Sequence, residues 1–190
     1  MNICNKTTYI INLIGGPGIG KSTISALIYA KLKLHENKYV VEYVQEYAKQ
    51  LVWTKNFDVL NNQYYVTQYQ YKLLKQMINE VNFIVTDGPI CQGLYYNLHN
   101  KDNISNIDKT EKFILESHNK FNNINIFLKR GKFKYESQGR LQTEEEAMEI
   151  DVILRHLLKQ NGINFKEFSS DSLDENINEI IKYIVSHIDT

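Results

Sequence analysis

The chain has 190 residues, 22 of them Lys or Arg and 22 Asp or Glu, so its formal net charge is zero. Balanced charge argues against broad electrostatic binding to nucleic acid, which needs a basic face to displace counterions, but it leaves a small local basic site open. The length fits one domain over residues 1–190, and no apolar run approaches the roughly 20 residues that cross a bilayer.

Short apolar, β-branched runs alternate with helical patterns along the whole chain. The predicted strands cover residues 9–14, 39–44, 81–86, 124–128 and 163–168. The predicted helices cover residues 21–36, 62–80, 106–121, about 143–160 and 173–188. The fourth helix begins with a capping-box pattern at Thr143 and Glu146. This alternation predicts an α/β fold, with a parallel sheet covered by helices on both faces and ligands at the carboxyl ends of its strands.

The turn after the first strand has a phosphate-binding pattern. Residues 15–22 fit G-x-x-x-x-G-K-[ST], between a buried strand and a helix. Glycines let successive N–H groups point at one anion, and the new helix adds its positive end. The predicted nucleotide-binding residues are Gly15, Gly16, Pro17, Gly18, Ile19, Gly20, Lys21, Ser22 and Thr23. We expect Lys21 to reach the β- and γ-phosphates of a nucleoside triphosphate and the Ser22 hydroxyl to bind its Mg²⁺.

Carboxylates follow two of the predicted strands. Asp87 ends the third strand, on the same sheet edge as the phosphate loop, and is interpreted as a Mg²⁺ ligand or as the group that orients a nucleophile. The alternative is a turn cap with Gly88 and Pro89. Glu42 and Glu46 flank the end of the second strand, where one could accept a substrate proton or hold a sugar diol. The alternative is a solvated pair at a helix start.

A basic segment over about 129–142 separates the fourth strand from the capped helix. Its composition is typical of a lid that closes over phosphates and brings an Arg to the transition state. Arg140 is the first candidate for that role, and Arg130 is the second. Arg130 is also predicted to bind the nucleotide. The alternative is a solvated surface loop.

Aromatic residues offer a pocket for a flat heterocycle. The candidates are Trp53, Tyr64, Tyr65, Tyr69, Tyr95 and Tyr96. Gln68 could read the edge of the ring, because one amide provides both a donor and an acceptor. For any single tyrosine, core packing is the alternative. The five histidines are scattered and suggest neither a triad nor a metal site.

Together these features resemble the P-loop kinases of the nicotinamide riboside kinase type, the kinase domain of NAD-regulator proteins, and look closest to their phage-encoded branch. The resemblance rests on residues 15–23, 41–47, Gln68, 83–87, 125–130, Gly139 with Arg140, and 163–168. It implies a P-loop kinase fold with strand order 2-3-1-4-5, ATP as phosphate donor, Mg²⁺ as cofactor, and transfer to a hydroxyl of a nucleoside-like acceptor.

The resulting hypothesis is a small kinase that acts on a nucleoside- or nucleotide-like acceptor. Its catalytic residues would be Lys21, Asp87, Glu46 and Arg140, with Glu42, Glu46, Gln68 and Trp53 at the acceptor and Ser22 and Asp87 at the metal. Two alternatives stay open: a kinase for 5-hydroxymethyluracil bases in phage DNA, which zero net charge does not favour, and an NTP-hydrolysing switch that binds a partner protein.

The cysteines give an expectation about the compartment. Cys4 and Cys91 cannot form a disulfide framework, and no signal peptide is visible at Met1. We therefore expect free thiols in a reducing, cytoplasmic setting, without a membrane partner; for a phage-encoded chain, that setting is the host cell.

Overall fold

A computed structural model describes residues 6–131, 134–171 and 173–188, with the side chains of 173–175 left out. These residues form one five-stranded sheet. In chain order, its strands are β1 (Tyr9–Ile14), β2 (Val41–Val44), β3 (Phe83–Thr86), β4 (Asn122–Lys129) and β5 (Lys166–Ser169). The strand order is β2-β3-β1-β4-β5, and every neighbouring pair is parallel. Both the parallel sheet and the order that the resemblance implied are confirmed.

Helices connect these strands. Within the described residues they are α1 (Lys21–Lys33), α2 (Tyr47–Trp53), α3 (Phe57–Leu60), α4 (Gln63–Lys75), α5 (Gly93–His99), α6 (Ile107–His118), α7 (Glu144–Gln160) and α8 (Leu173–Val185). The short helices α2, α3 and α5 were not predicted, because each has too few turns for a recognisable apolar period. None of the helices in the described ranges has the length and apolar character that crossing a bilayer requires.

The sheet separates two hydrophobic cores, as helices on both faces predict. Alternation along β1 sends Ile11 and Leu13 to the core shared with α1 and α8. It sends Ile10 and Ile14 to the core shared with α4, α5, α6 and α7. Because both faces are covered, the central strands β1 and β3 are almost continuously apolar.

The capping box predicted for the helix after the basic segment is present. The Thr143 hydroxyl accepts from the Glu146 N–H at 3.2 Å, and the Glu146 carboxylate accepts from the Thr143 N–H at 2.8 Å. The box fixes the start of α7 directly after the lid. The helix ends at Gln160, as predicted.

Of the two cysteines, the structure describes Cys91. Cys91 is a free, buried thiol, and its burial raises its pKa to about 12. This places it among inert core cysteines rather than reactive thiolates. Cys4 lies outside the described residues.

Candidate active site

The phosphate loop runs from the end of β1 to the first turn of α1. Gly18 and Gly20 have φ values of +74° and +96°, which favour glycine, and Gly20 is the N-cap of α1. No described side chain caps the first turn of α1, so the backbone N–H groups at the start of this helix stay open to an anion, whereas the Gly16 N–H earlier in the loop donates to Asp151. The loop therefore has the backbone geometry that its sequence predicted.

The Lys21 ammonium is hydrogen-bonded to the backbone of the phosphate loop. Its Nζ donates to the carbonyl oxygens of Gly15 at 2.7 Å and Gly16 at 3.0 Å. Burial lowers the pKa of Lys21, while the carboxylates of Glu46, Asp87 and then Asp151 act in the opposite direction. An ammonium that is poorly hydrated and bonded only to carbonyls is well placed to exchange these for phosphate oxygens.

Asp87 joins three parts of the site. One of its carboxylate oxygens accepts from the Ser22 hydroxyl at 2.5 Å, and the other accepts from the Glu46 N–H at 3.0 Å. The parallel order brings the ends of β2 and β3 next to the phosphate loop, so residues far apart in sequence share one sheet edge. The structure thus brings Lys21, Ser22, Glu46 and Asp87 together.

Glu46 is the half-buried N-cap residue of α2 and lines the cleft. Burial raises the pKa of Glu46, the neighbouring Asp87 carboxylate raises it further, and Lys21 opposes both. A carboxylate with a raised pKa is a better proton acceptor near neutral pH than an ordinary one.

Lys49 is a cleft residue that sequence reasoning missed. It lies one turn into α2, and its Nζ donates to the Ser22 hydroxyl at 3.2 Å. The only sequence signal was its position three residues after Glu46, and an exposed helical lysine is too common to be singled out.

Lys21, Ser22, Glu46 and Lys49 line a cleft of about 940 Å³. Its walls come from the phosphate loop, α2 to α5, the lid and the start of α7. Much of the remaining lining is apolar and aromatic, with Val52, Trp53, Phe57, Leu60, Val66, Tyr95 and Tyr96, and it also carries the amides of Gln63, Gln70 and Gln92. Gln92 lies beside the phosphate loop, where its Oε1 accepts from the Gly15 N–H at 3.4 Å. A cleft of this size and lining accommodates a small organic molecule beside a nucleotide.

Two of the residues predicted to contact the acceptor lie outside the cleft. Gln68 is exposed and is not a cleft residue, whereas Gln70 lines the cleft and accepts from the Tyr47 N–H at 3.0 Å. Two positions along a helix turn the side chain by about 200°, so the wrong phase selects the wrong glutamine. Glu42 lies 3.8 Å from Lys33 of α1 in an exposed ion pair, away from the cleft.

The aromatic candidates divide in the same way. Tyr95, Tyr96 and Trp53 line the cleft, whereas Tyr64 packs on Phe113 and Tyr69 stacks on Tyr47 with ring centroids 4.0 Å apart. Tyr65 belongs to the same interhelical group, 6.4 Å from Tyr69. Core and interhelical packing, the alternative weighed for these tyrosines, applies to Tyr64, Tyr65 and Tyr69.

Arg130 supports the phosphate loop from behind. Its Nε and Nη2 both lie 2.9 Å from Oδ2 of Asp151, and Nη2 also donates to the Pro17 carbonyl at 3.0 Å. The other Asp151 oxygen accepts from the Gly16 N–H. Asp151 was not predicted, because a single Asp in an amphipathic helix carries no sequence signal.

The lid is described over residues 134–142, and positions 132 and 133 of the predicted segment lie outside the described residues. The Tyr135 hydroxyl donates to the Gln142 carbonyl at 2.7 Å, which closes the segment on itself. The Arg140 guanidinium lies over the Tyr135 ring, 5.2 Å from its centroid, and 3.7 Å from the Glu136 carboxylate. Arg140 lines the cleft, so the lid brings it to the same space as Lys21 and Glu46.

Comparison with known proteins finds one family that matches most of the chain. The family described as AAA domain matches residues 10–176. Among curated proteins, none matches the chain.

Solved structures share the fold over almost the whole chain. Deoxyadenosine kinase from M. mycoides is 20% identical with a TM-score of 0.52, covering 93% of this chain and 98% of its own. YorR protein from Bacillus subtilis is 16% identical with a TM-score of 0.58, covering 95% and 98%. Thymidylate kinase from Candida albicans is 13% identical with a TM-score of 0.61, covering 96% and 92%. At these identities the likeness shows the fold, which is that of P-loop kinases.

Proposed function

The chain belongs to the AAA domain family, and we propose that it is an ATP- and Mg²⁺-dependent kinase that transfers the γ-phosphate to a hydroxyl of a nucleoside- or nucleotide-like acceptor. The observation that carries the proposal is one sheet edge where the phosphate loop, Ser22, Asp87 and Glu46 meet at the mouth of a cleft of about 940 Å³. The shared fold with deoxyadenosine and thymidylate kinases supports it.

The donor set fits Mg²⁺. The Ser22 hydroxyl and Asp87 carboxylate are hard oxygen donors in contact with each other. The described ranges contain no group of three or more His, Cys, Asp and Glu residues that could hold a metal by themselves. This suits an ion that takes one or two protein ligands and completes its shell with phosphate and water oxygens. Ser22 and Asp87 would hold the ion, which would supply charge neutralisation at the phosphates.

Each side chain then has one task. Lys21 leaves the carbonyls of Gly15 and Gly16 and binds the β- and γ-phosphates. The acceptor oxygen forms a bond to the γ-phosphorus while the bond from that phosphorus to the β–γ bridging oxygen breaks, and ADP leaves. Glu46 accepts the hydroxyl proton, and Arg140 stabilises the charge on the transferred group.

The acceptor-side wall supports a nucleoside-like acceptor. Tyr95 and Tyr96 provide apolar and aromatic surface, while Gln70 and Gln92 offer amide groups in the same cleft. Nicotinamide riboside is the acceptor that the resemblance favours, and the link to the phage-encoded branch of that family is part of the same proposal.

The test is transfer from γ-labelled ATP to a panel of acceptors. The panel holds nicotinamide riboside, ribo- and deoxyribonucleosides, nucleoside monophosphates and an oligonucleotide with 5-hydroxymethyluracil. We expect one class to yield a labelled product together with equimolar ADP. ATP hydrolysis with no labelled acceptor across the panel would contradict the kinase and favour a nucleotide-dependent switch, whereas label on the oligonucleotide alone would identify a DNA-base kinase.

A further inference from the structure

Trp53 is in contact with the lid. A Cβ added to Gly139 would lie 2.5 Å from Cζ2 and 2.7 Å from Cε2 of Trp53, so the indole occupies the space that any larger side chain at this position needs. Gly139 also has a φ of +72°, which disfavours side chains. Trp53 is 61% exposed overall, but one edge of its indole sits against the lid backbone at a point where only glycine lets the two approach.

The lid has a second contact on the opposite rim of the cleft. A Cβ added to Gly18 would lie 2.5 Å from Cδ2 and Cε2 of Tyr135, so the tyrosine ring packs against the phosphate loop. The lid thus touches α2 through Gly139 and the phosphate loop through Tyr135. It spans the site from the acceptor side to the donor side.

Arg140 directly follows the glycine that Trp53 contacts. Its side chain is 23% exposed, and its Nη1 is shielded from solvent without a hydrogen-bond partner among the described residues. A shielded guanidinium nitrogen that lacks a partner is costly unless an anion satisfies it. The lid contacts therefore hold this arginine as a donor prepared for an anionic ligand.

We propose that Trp53 and Gly139 form a latch that docks the lid on the acceptor side and thereby positions Arg140 over the transferred phosphoryl group. This inference rests on the proposed kinase function for the role of Arg140. Trp53 is a positioning residue in this account, and it acts through the lid rather than by stacking on the acceptor ring. Docking also closes the site against water, which favours transfer over hydrolysis.

The first experiment needs no enzymatic activity. Trp53 is the only tryptophan in the chain, so intrinsic fluorescence reports its surroundings alone. Gly139→Ala is the test variant, and Gly162→Ala is the matched control, because Gly162 has a similar φ of +67° but nothing within 4 Å of an added Cβ. We expect a red-shifted emission and stronger acrylamide quenching in G139A, with G162A like the wild type. Identical spectra and quenching in all three proteins would overturn the latch, whether or not the protein is a kinase.

The second experiment separates latching from acceptor stacking. In Trp53→Ala and G139A, a misplaced Arg140 should lower kcat by about 10- to 100-fold, because a shift of about 1 Å in a catalytic group costs up to about 10²-fold. The KM for acceptor should change little, and the ratio of ATP hydrolysis to transfer should rise. Trp53→Phe should recover part of kcat. A rise confined to the acceptor KM in W53A, with G139A kinetically normal, would overturn the latch and assign Trp53 to the acceptor.

Discussion

The Asp151 carboxylate accepts a hydrogen bond from the Gly16 N–H at 2.5 Å, across 135 positions of sequence. The same carboxylate pairs with Arg130, and Arg130 also bonds the Pro17 carbonyl. The first half of the phosphate loop is therefore held by α7, the helix that follows the lid directly. Through this contact, the helix α7 supports the phosphate loop and also anchors the end of the lid.

Replacing Asp151 by Asn should destabilise the protein by about 3 kcal/mol, because it removes one partner of a buried ion pair and leaves the Arg130 charge uncompensated. Arg130 and Asp151 are 16% and 10% exposed. Urea unfolding measures the change. Glu167→Gln is the control, since it breaks the more exposed Arg155–Glu167 pair and should cost less than about 1 kcal/mol. Equal losses in the two variants would show that the Asp151 pair is not a buried support.

Replacing Lys21 by Ala should lower kcat for phosphoryl transfer by about 10²-fold or more, because it removes the ammonium that reaches the phosphates. Calorimetric titration with ATP and Mg²⁺ should also show weaker binding. Lys33→Ala, in the last turn of the same helix and in an exposed pair with Glu42, is the control and should behave like the wild type. A K21A protein with unchanged affinity and turnover would remove the basis of the nucleotide site.

Protonation of Glu46 should make kcat fall on the acidic side of the pH–rate profile. A raised pKa means that Glu46 takes up its proton at a higher pH than an ordinary carboxyl, so activity should fall as pH decreases through that raised value. Glu46→Gln should lose activity by about 10²-fold or more at neutral pH and should lack this acidic limb of the profile. A pH–rate profile of both proteins measures this. An unchanged acidic limb in the variant would assign it to another group.

The raised pKa of Glu46 also predicts that this residue lowers the stability of the folded protein at neutral pH. Because the folded state disfavours ionised Glu46, its stabilising contribution is complete below the ordinary value of 4.5 and is lost as pH rises through the folded pKa. Glu46→Gln should therefore be more stable than the wild type at pH 7, and the difference should shrink toward pH 4. Urea unfolding at the two pH values checks this, and a variant less stable than the wild type at pH 7 would contradict it.

His118 should contribute to acid unfolding. It is 5% exposed, and burial lowers its pKa to about 4 from an ordinary 6.5. The unfolded chain then binds a proton that the folded chain rejects, so stability should be lost as pH falls from 6.5 to 4, by up to about 3 kcal/mol. His118→Gln should flatten that part of the stability profile, whereas exposed His99→Gln should not. Parallel profiles for H118Q and the wild type would contradict a neutral buried histidine.

Much of the fold could be predicted from the chain alone. The five strands, the phosphate loop and the capped start of α7 follow from short-range patterns, and each is present. Element ends were less predictable: the helix predicted over 62–80 ends at Lys75, and the strand predicted over 163–168 is Lys166–Ser169. Helix and strand ends depend on local turns, such as the left-handed Asn79, that propensity does not specify.

The residues of the candidate site were also only partly predictable from the sequence. Sequence motifs indicated Lys21, Ser22, Asp87, Glu46 and Arg140. The structure places all of these but Asp87 along one cleft, and Asp87 bonds to Ser22 and to the Glu46 N–H. It separates Glu42 and Gln68 from that cleft, brings Gln70 and Lys49 into it, and adds Asp151 as a support of the phosphate loop. An error of two positions in helical phase is enough to send a side chain to the opposite face of a helix.

The sequence by itself determined the loop that binds phosphate and the alternation that builds a parallel sheet, because backbone conformation and hydrophobic period are set by neighbours along the chain. Only the tertiary structure decided that α7 supports the loop through Asp151 and that Trp53 faces the lid at Gly139. Those contacts join residues far apart in sequence, and close packing of the folded chain is what brings them within reach.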